Sequence, residues 1–344
     1  MPLKGKIIVL RFSAMGDVAM VASVLREFLV QNPETELVMV SRAAFKSFFD
    51  EIPNLTFHPI EPKTSHKGIL GLYKLHNELR KYNPTAIADL HDNLRSRLLS
   101  TFFRLAGYKI ERIDKGRTEK KALTQSKNKI FKPLKQTVER YADVFRILGF
   151  KLNLSHQLIK SLKKIPSTAK EFFTNKTVKK IGISPFAQHI YKVYPYDKMG
   201  KVIEQLDGLG YEIFIFGGGN IEKAIADGWK NQFKNVKNLI DKFTLREELD
   251  IIANLDIMLS MDSAGMHMAS LMGVPVVSIW GPTHPYAGFL GYGQSLSDCI
   301  QIDHPNRPNS IYGNKPCMCG VHPCIELISS ESVVNKIKER VENG

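Results

Sequence analysis

Residues 7–33 run Ile7-Ile8-Val9-Leu10, then Arg11-Phe12-Ser13-Ala14-Met15-Gly16-Asp17, then place apolar Val21, Val24, Leu25, Phe28 and Leu29 before Pro33. The first four are aliphatic without a polar interruption, the pattern of a strand buried on both faces. The last five recur at three- and four-residue spacing, which lines one face of a helix. Pro33 stops that helix because it lacks an N–H and clashes with the preceding turn. Residues 37–40 then read as a second strand. Strand, turn, helix and strand in this order predict a parallel sheet covered by helices, the α/β class.

The same rhythm continues. Residues 86–90 read as a strand, 97–105 as a helix ending near Gly107, and 137–148 as a further helix. The stretch 154–180 is rich in Lys, Ser and Thr, holds Pro166 and lacks an apolar face, so a domain boundary is placed within it, dividing the chain into 1–165 and 166–344. The rhythm then restarts: strand 180–184, helix 199–206, strand 212–216 followed by Gly217-Gly218-Gly219, helix 245–255, strand 257–260, helix 265–272, strand 274–279 and a last helix from about 332. Two α/β domains fit a chain of 344 residues.

Hydrophobic residues make up 43% of the chain and charged residues 24%, the balance of a folded globular protein. Residues 7–10 are too short for a signal-peptide core, and charges or prolines break every apolar stretch before the roughly 18 residues a membrane span needs. A cytoplasmic location is therefore expected. The net charge is +14, and eight basic residues against the single Glu119 fall in 115–135, including Lys120 and Lys121. Read locally, that stretch is a solvated loop, with a surface for an anionic partner as the alternative. Cys317, Cys319, His322 and Cys324 crowd into one late loop. They could ligate zinc, but Cys-x-Cys is not the usual knuckle spacing and no second ligand pair follows, so reduced thiols in a Pro/Gly-rich loop are the favoured reading.

In α/β sheets ligands bind beyond the carboxyl ends of the strands, which directs attention to the strand-to-helix turns. Asp17, with Ser13 and Gly16, occupies the first of these; its carboxylate suits either a general base or a helix N-cap. Asp262-Ser263-Ala264-Gly265-Met266-His267 follows strand 257–260, and a helix starting near Gly265 would aim free amides at an anion such as a diphosphate. His267 would face the ligand or be a satisfied core histidine. Lys192, in Lys192-Val193-Tyr194-Pro195, could neutralise phosphate charge or simply be solvated. Gly281-Pro282-Thr283 forms another backbone-exposing turn after strand 274–279.

Taken in order, Ser-Ala-Met-Gly-Asp at 13–17, Asp-Leu-His at 89–91 with Arg95-Ser96, Lys-Val-Tyr-Pro at 192–195, Asp-Ser-Ala-Gly-Met-His at 262–267, Gly-Pro-Thr at 281–283 and Gly-Tyr-Gly at 291–293 resemble the ADP-heptose:lipopolysaccharide heptosyltransferases, glycosyltransferase family 9. The resemblance runs from residue 11 past 290. It implies the GT-B architecture: two Rossmann-like domains with mostly parallel sheets facing a central cleft, acceptor on the N-terminal domain and nucleotide sugar on the C-terminal one, with the last helix able to pack back on the first domain. It further implies Asp17 as catalytic base, and Lys192, Asp262, Ser263, Ala264, Gly265, His267, Gly281, Pro282 and Thr283 as donor-binding. Ser13, Gly16, Lys120 and Lys121 are the acceptor-side candidates.

The implied donor is ADP-heptose or another nucleotide sugar, the acceptor a phosphorylated glycolipid reached by peripheral contact with an anionic membrane, with no metal and no separate cofactor. Ala264 stands where the family has Gly, Tyr194 where it has Trp, and Ser23 where it has Pro. Ala264 narrows the backbone's approach to a diphosphate, with Gly265 beside it to compensate. A transferase or epimerase for a different nucleotide sugar is the nearest alternative. A dehydrogenase is disfavoured because Gly217-Gly218-Gly219-Asn220-Ile221-Glu222 lacks the glycine spacing of the dinucleotide fingerprint. A nucleic-acid binder is disfavoured because no aromatic-interleaved basic stripe accompanies the charge.

Overall fold

The computed structural model of the protein describes residues 5–342. It divides into two compact units, one of residues up to 116 with 135–155, the other of residues 117–134 with 156 onward. The division at 165/166 drawn from composition assigns 117–134 to the N-terminal half, whereas those residues pack with the second unit.

In the first unit, strands β1 (Gly5–Leu10), β2 (Thr35–Ser41), β3 (Leu55–Pro59), β4 (Pro84–Asp89) and β5 (Lys109–Arg112) form one parallel sheet in the order β3-β2-β1-β4-β5. Helices α1 (Met15–Gln31), α2 (Gly68–Arg80), α3 (Leu94–Leu105) and α5 (Thr137–Leu148) cover it, while α4 (Arg117–Thr124) belongs to the second unit. Ile7 to Leu10 are each fully buried, as a strand covered on both faces must be. Ile8 and Leu10 pack with Val38, Ile87, Leu99 and Phe103, and Phe28 of α1 meets Phe145 of α5 at 4.5 Å between ring centres. Each such side chain contributes about 1.5–3 kcal/mol of burial. The periodicity reading did not include β3 and α2; α2 buries Leu72, Leu75 and Leu79 but leaves Ile69 and Leu70 in solvent, which blurs its apolar face.

In the second unit, β6 (Lys180–Ser184), β7 (Glu212–Ile215), β8 (Val236–Asn238), β9 (Ile257–Met261), β10 (Val276–Ile279) and β11 (Cys299–Ile300) form a parallel sheet ordered β11-β10-β9-β6-β7-β8. Its helices are α6 (Tyr196–Gly208), α7 (Asn220–Gln232), α8 (Leu245–Ala253), α9 (Ala264–Leu271) and α10 (Ser330–Glu342), and α10 packs on α6 and β9. Thr244 caps α8, accepting from the Glu247 amide while the Glu247 carboxylate accepts from the Thr244 N–H. A hairpin of β12 (Met318–Cys319) and β13 (His322–Pro323) completes the unit.

Two local expectations are corrected. The hairpin brings Cys319 and Cys324 to a Cα separation of 4.9 Å and joins them in a disulfide, so neither a zinc set nor a trio of reduced thiols is formed. Cys317 stays a buried thiol with its Sγ 3.5 Å from that of Cys324. Residues 115–135 are not a uniformly solvated loop. Lys120 is buried on α4 with its Nζ 4.3 Å over the Phe289 ring, Lys129 donates to the carbonyls of Pro305 and Pro308, and Leu123 and Leu134 pack with Ala287. Composition alone could not show which lysine stems lie along apolar surface. Among the described residues no helix is long and apolar enough to cross a membrane.

Candidate active site

Each sheet contains a point where the chain reverses its direction of winding. In the first unit it lies between β1 and β4, in the second between β6 and β9. Neighbouring connections leave such a point on opposite faces of the sheet and open a crevice at the strand ends. Ser13, Gly16 and Asp17 follow β1 at the first of these places, and Lys192 and residues 262–267 follow β6 and β9 at the second.

Beyond β1, Asp17 is the third residue of α1, and its Oδ2 accepts from the N–H of Ala14, the N-cap residue just before the helix. The carboxylate thus satisfies a free helix-end amide from inside the first turn and not from the N-cap position. Arg11, nearly buried, brings a terminal nitrogen to 2.5 Å from the same oxygen and donates its other to the Leu90 carbonyl. The Tyr141 hydroxyl lies 3.4 Å from Oδ1. About a quarter of the Asp17 side chain remains exposed. The arrangement fixes the carboxylate's orientation and keeps part of it open to solvent, which suits proton abstraction as well as capping. Ser13 and Gly16 sit half-buried on the same turn.

At the end of β4, Asp89 is fully buried and accepts from the amides of His91 and Asp92 and from the Ser100 hydroxyl, so it shapes the turn that follows. The Phe12 amide donates to His91 Nδ1. Burial, aided by the nearby Arg11 and Lys115 charges, pushes the His91 pKa down to about 3, and the ring stays neutral.

In the second unit, Lys192 comes from the β6–α6 connection and Asp262 from the end of β9; their charged groups meet at 3.0 Å with side chains only 14% and 9% exposed. Lys192 is therefore not a solvated surface lysine. Ser263 is the extended residue before α9, its hydroxyl 3.4 Å from that of Ser260 and not capping the helix. The amides at Ala264 and Gly265 thus open α9 without a side-chain cap, the feature that allows an anion to take their place. A Cβ on Gly265 would lie 2.3 Å from Ser184 Oγ and 3.1 Å from Ser260 Oγ. Gly265 consequently serves close packing of α9 on the sheet, not compensation for Ala264 toward a ligand. His267 is buried within α9. Tyr194 is fully buried and donates its hydroxyl to the Ile328 carbonyl, filling a core position.

Gly281, Pro282 and Thr283 lie beyond β10, beside β9 in the sheet. Arg307, a residue the sequence reading did not single out, holds this loop. It is 3% exposed and donates to the carbonyls of Trp280, Gly281, Thr283 and Ile302 and to the Gln301 side chain. Burial lowers its pKa to about 10, which still leaves it charged at neutral pH. No local pattern marks such a residue, because its partners lie as far as 27 residues away in sequence. Tyr191 and Val193, on either side of Lys192, also wall an apolar cavity of about 340 Å³ with Pro282, Cys317 and Ile325, of a size that accepts part of a small organic ligand. Lys120 and Lys121 lie on α4 in the second unit, the former buried and the latter exposed.

The fold and site define a protein of two Rossmann-like α/β units whose second unit carries a lysine, a carboxylate and an uncapped helix start at the switch point of its sheet. Residues 72–310 match the family described as glycosyltransferase family 9 (heptosyltransferase), and the chain belongs to that family. Lipooligosaccharide heptosyltransferase 2 of Campylobacter jejuni is 28% identical over 133 residues, 38% of this chain. The chain spans about two fifths (41%) of the length of that relative.

Among solved structures, the glycosyl transferase family 9 protein of Veillonella parvula superposes with a TM-score of 0.78 at 20% identity, covering 100% of this chain and 99% of that one. The Escherichia coli heptosyltransferase WaaC, solved with ADP, gives 0.69 at 18% identity over 97% and 99%. These likenesses bear out the α/β, GT-B fold.

Proposed function

We propose that the protein is an inverting glycosyltransferase that moves a heptose from ADP-heptose to a lipopolysaccharide core acceptor, with Asp17 as general base. The observation that carries this reading is the half-buried Lys192 held beside the uncapped start of α9 at the switch point of the second sheet. Such a place suits the diphosphate of a nucleotide sugar, and family membership supplies the heptose. In the transfer, Asp17 takes the proton of the acceptor hydroxyl, whose oxygen bonds to the anomeric carbon as the bond to the diphosphate breaks on the opposite face. A single displacement inverts that centre.

The leaving diphosphate gains charge as the bond breaks, and Lys192 with the amides of Ala264 and Gly265 stabilises that charge more in the transition state than in the ground state. Gly281, Pro282 and Thr283 border the donor and Ser13 and Gly16 the acceptor. Arg11 and Tyr141 hold the Asp17 carboxylate in place. The exposed Lys121, Lys127 and Lys132, beside exposed Ile130 and Phe131, provide contact with an anionic membrane presenting a phosphorylated glycolipid.

The test incubates the protein with a panel of nucleoside-diphosphate sugars and core-oligosaccharide acceptors and detects transfer by mass spectrometry, with the product anomer read by NMR. ADP-heptose should be the preferred donor. Asp17→Asn should lower turnover by about 100-fold or more while donor binding persists. Near-normal turnover with a lowered melting temperature would return Asp17 to a helix-end role alone.

A further inference from the structure

Residues 307–314, which lie outside every motif of the sequence reading, are bound to the Gly281–Thr283 turn along its length. Arg307 holds the carbonyls of Gly281 and Thr283, and the amides of Asn309 and Ser310 both donate to the Pro282 carbonyl. Ser310 then turns the chain, its hydroxyl accepting from the Gly313 amide and donating to the Asn314 side chain. Gly313 emerges from this turn against Lys192. A Cβ there would lie 2.3 Å from both Cγ and Cδ of Lys192 and 3.5 Å from Cγ2 of Thr283. Those atoms are mid-stem, so a side chain at 313 could be accommodated only by moving the lysine stem, and with it the ammonium that reaches Asp262.

We propose that residues 307–314 are a brace that sets the position of the Lys192 ammonium, and that Gly313 is a positioning residue of the donor site. This rests on the reading of Lys192 as a diphosphate ligand. Gly313 acts by having no side chain, and its contact couples two donor-side elements, Lys192 and Thr283, that come from different strand ends. Gly313 also has φ near +76°, which by itself penalises any L side chain. Gly320 separates the two effects, since it has the same φ of +76° on the same late segment and nothing within 4 Å of where its Cβ would be.

The experiment titrates the full chain with ADP by calorimetry in four variants, Gly313→Ala, Gly320→Ala, Lys192→Ala and the Gly313→Ala/Lys192→Ala pair, with a melting curve for each. Displacing a charged ligand by an ångström or so costs on the order of tenfold or more, so Gly313→Ala should weaken ADP binding by about that factor. Gly320→Ala should stay within about twofold of the parent, although its melting point should fall as much from the shared φ. In the Lys192→Ala background Gly313→Ala should add nothing further, because there is no ammonium left to misplace.

Equal weakening by Gly313→Ala and Gly320→Ala would overturn the proposal, as would independent, multiplicative losses from Gly313→Ala and Lys192→Ala. If Lys192→Ala alone leaves ADP binding unchanged, the diphosphate role of Lys192 falls, and the brace falls with it. The pattern of losses therefore tells the two failures apart.

Discussion

Replacing Asp262 with Asn tests the electrostatics of the second-unit site directly. The Lys192 ammonium sits 3.0 Å from the Asp262 carboxylate, both side chains less than a sixth exposed. At that distance an effective dielectric constant of about 20 gives a gross attraction of roughly 5 kcal/mol, most of which offsets the cost of taking the two charges out of water. The net worth of the pair is accordingly small. The cost of removing one partner is not, since Asn leaves the ammonium enclosed without its counter-charge, and about 2–4 kcal/mol of stability should be lost.

Lys192→Met/Asp262→Asn removes both charges and should recover much of that loss, giving a coupling of about 2 kcal/mol in the cycle. Both tryptophans of the chain, Trp229 and Trp280, are buried in the second unit, so urea unfolding followed by tryptophan fluorescence reports on that unit selectively. A coupling under about 0.5 kcal/mol, the scale of an exposed pair, would refute the reasoning.

Two pH effects of opposite sign should be visible by the same fluorescence. Burial, then the charges of Arg307 and Lys129, push the His284 pKa from 6.5 down to about 4, so the unfolded chain takes up the proton first; stability is complete above pH 6.5 and is lost as pH falls toward 4. His284→Gln should therefore lose about 2 kcal/mol less than the parent between pH 7 and 5, and equal losses would show that His284 protonates without cost. Burial, then the nearby Asp241, raises the Glu248 pKa from 4.5 to about 7, so the folded state holds the proton; that contribution is present below pH 4.5 and lost as pH rises through 7. Glu248→Gln should stabilise the protein by about 1–3 kcal/mol at pH 8 and leave it unchanged at pH 4.5, and a destabilised variant at pH 8 would contradict this.

The amino-acid sequence by itself determined the alternation of strand and helix and, through it, which turns follow the strand ends. Ile7 to Leu10 read as a strand buried on both faces because no polar residue interrupts them, and Val21 to Leu29 as a helix because their spacing matches its turn; both properties are local. Placing Asp17, Lys192, Asp262 and Gly281 at strand ends followed from that rhythm alone, and the structure gathers Lys192 and Asp262 at one switch point. The last-named pair lies 70 positions apart, and only the parallel order of β6 beside β9 brings the two residues together.

Tertiary structure alone decided what each small or charged residue does. Gly265 follows an Asp-Ser-Ala run that reads as ligand-facing, yet the helix lays it on Ser184. Lys120 belongs to a run of lysines that reads as solvated, yet Phe289 lies under it. Arg307 and Gly313 carry no periodicity or spacing, because their partners are carbonyls and a lysine stem contributed by other loops. Periodicity along a chain records which face a residue turns to the core; it holds no record of which distant backbone atom will pass within 3 Å of it, and that distance sets the role of these residues.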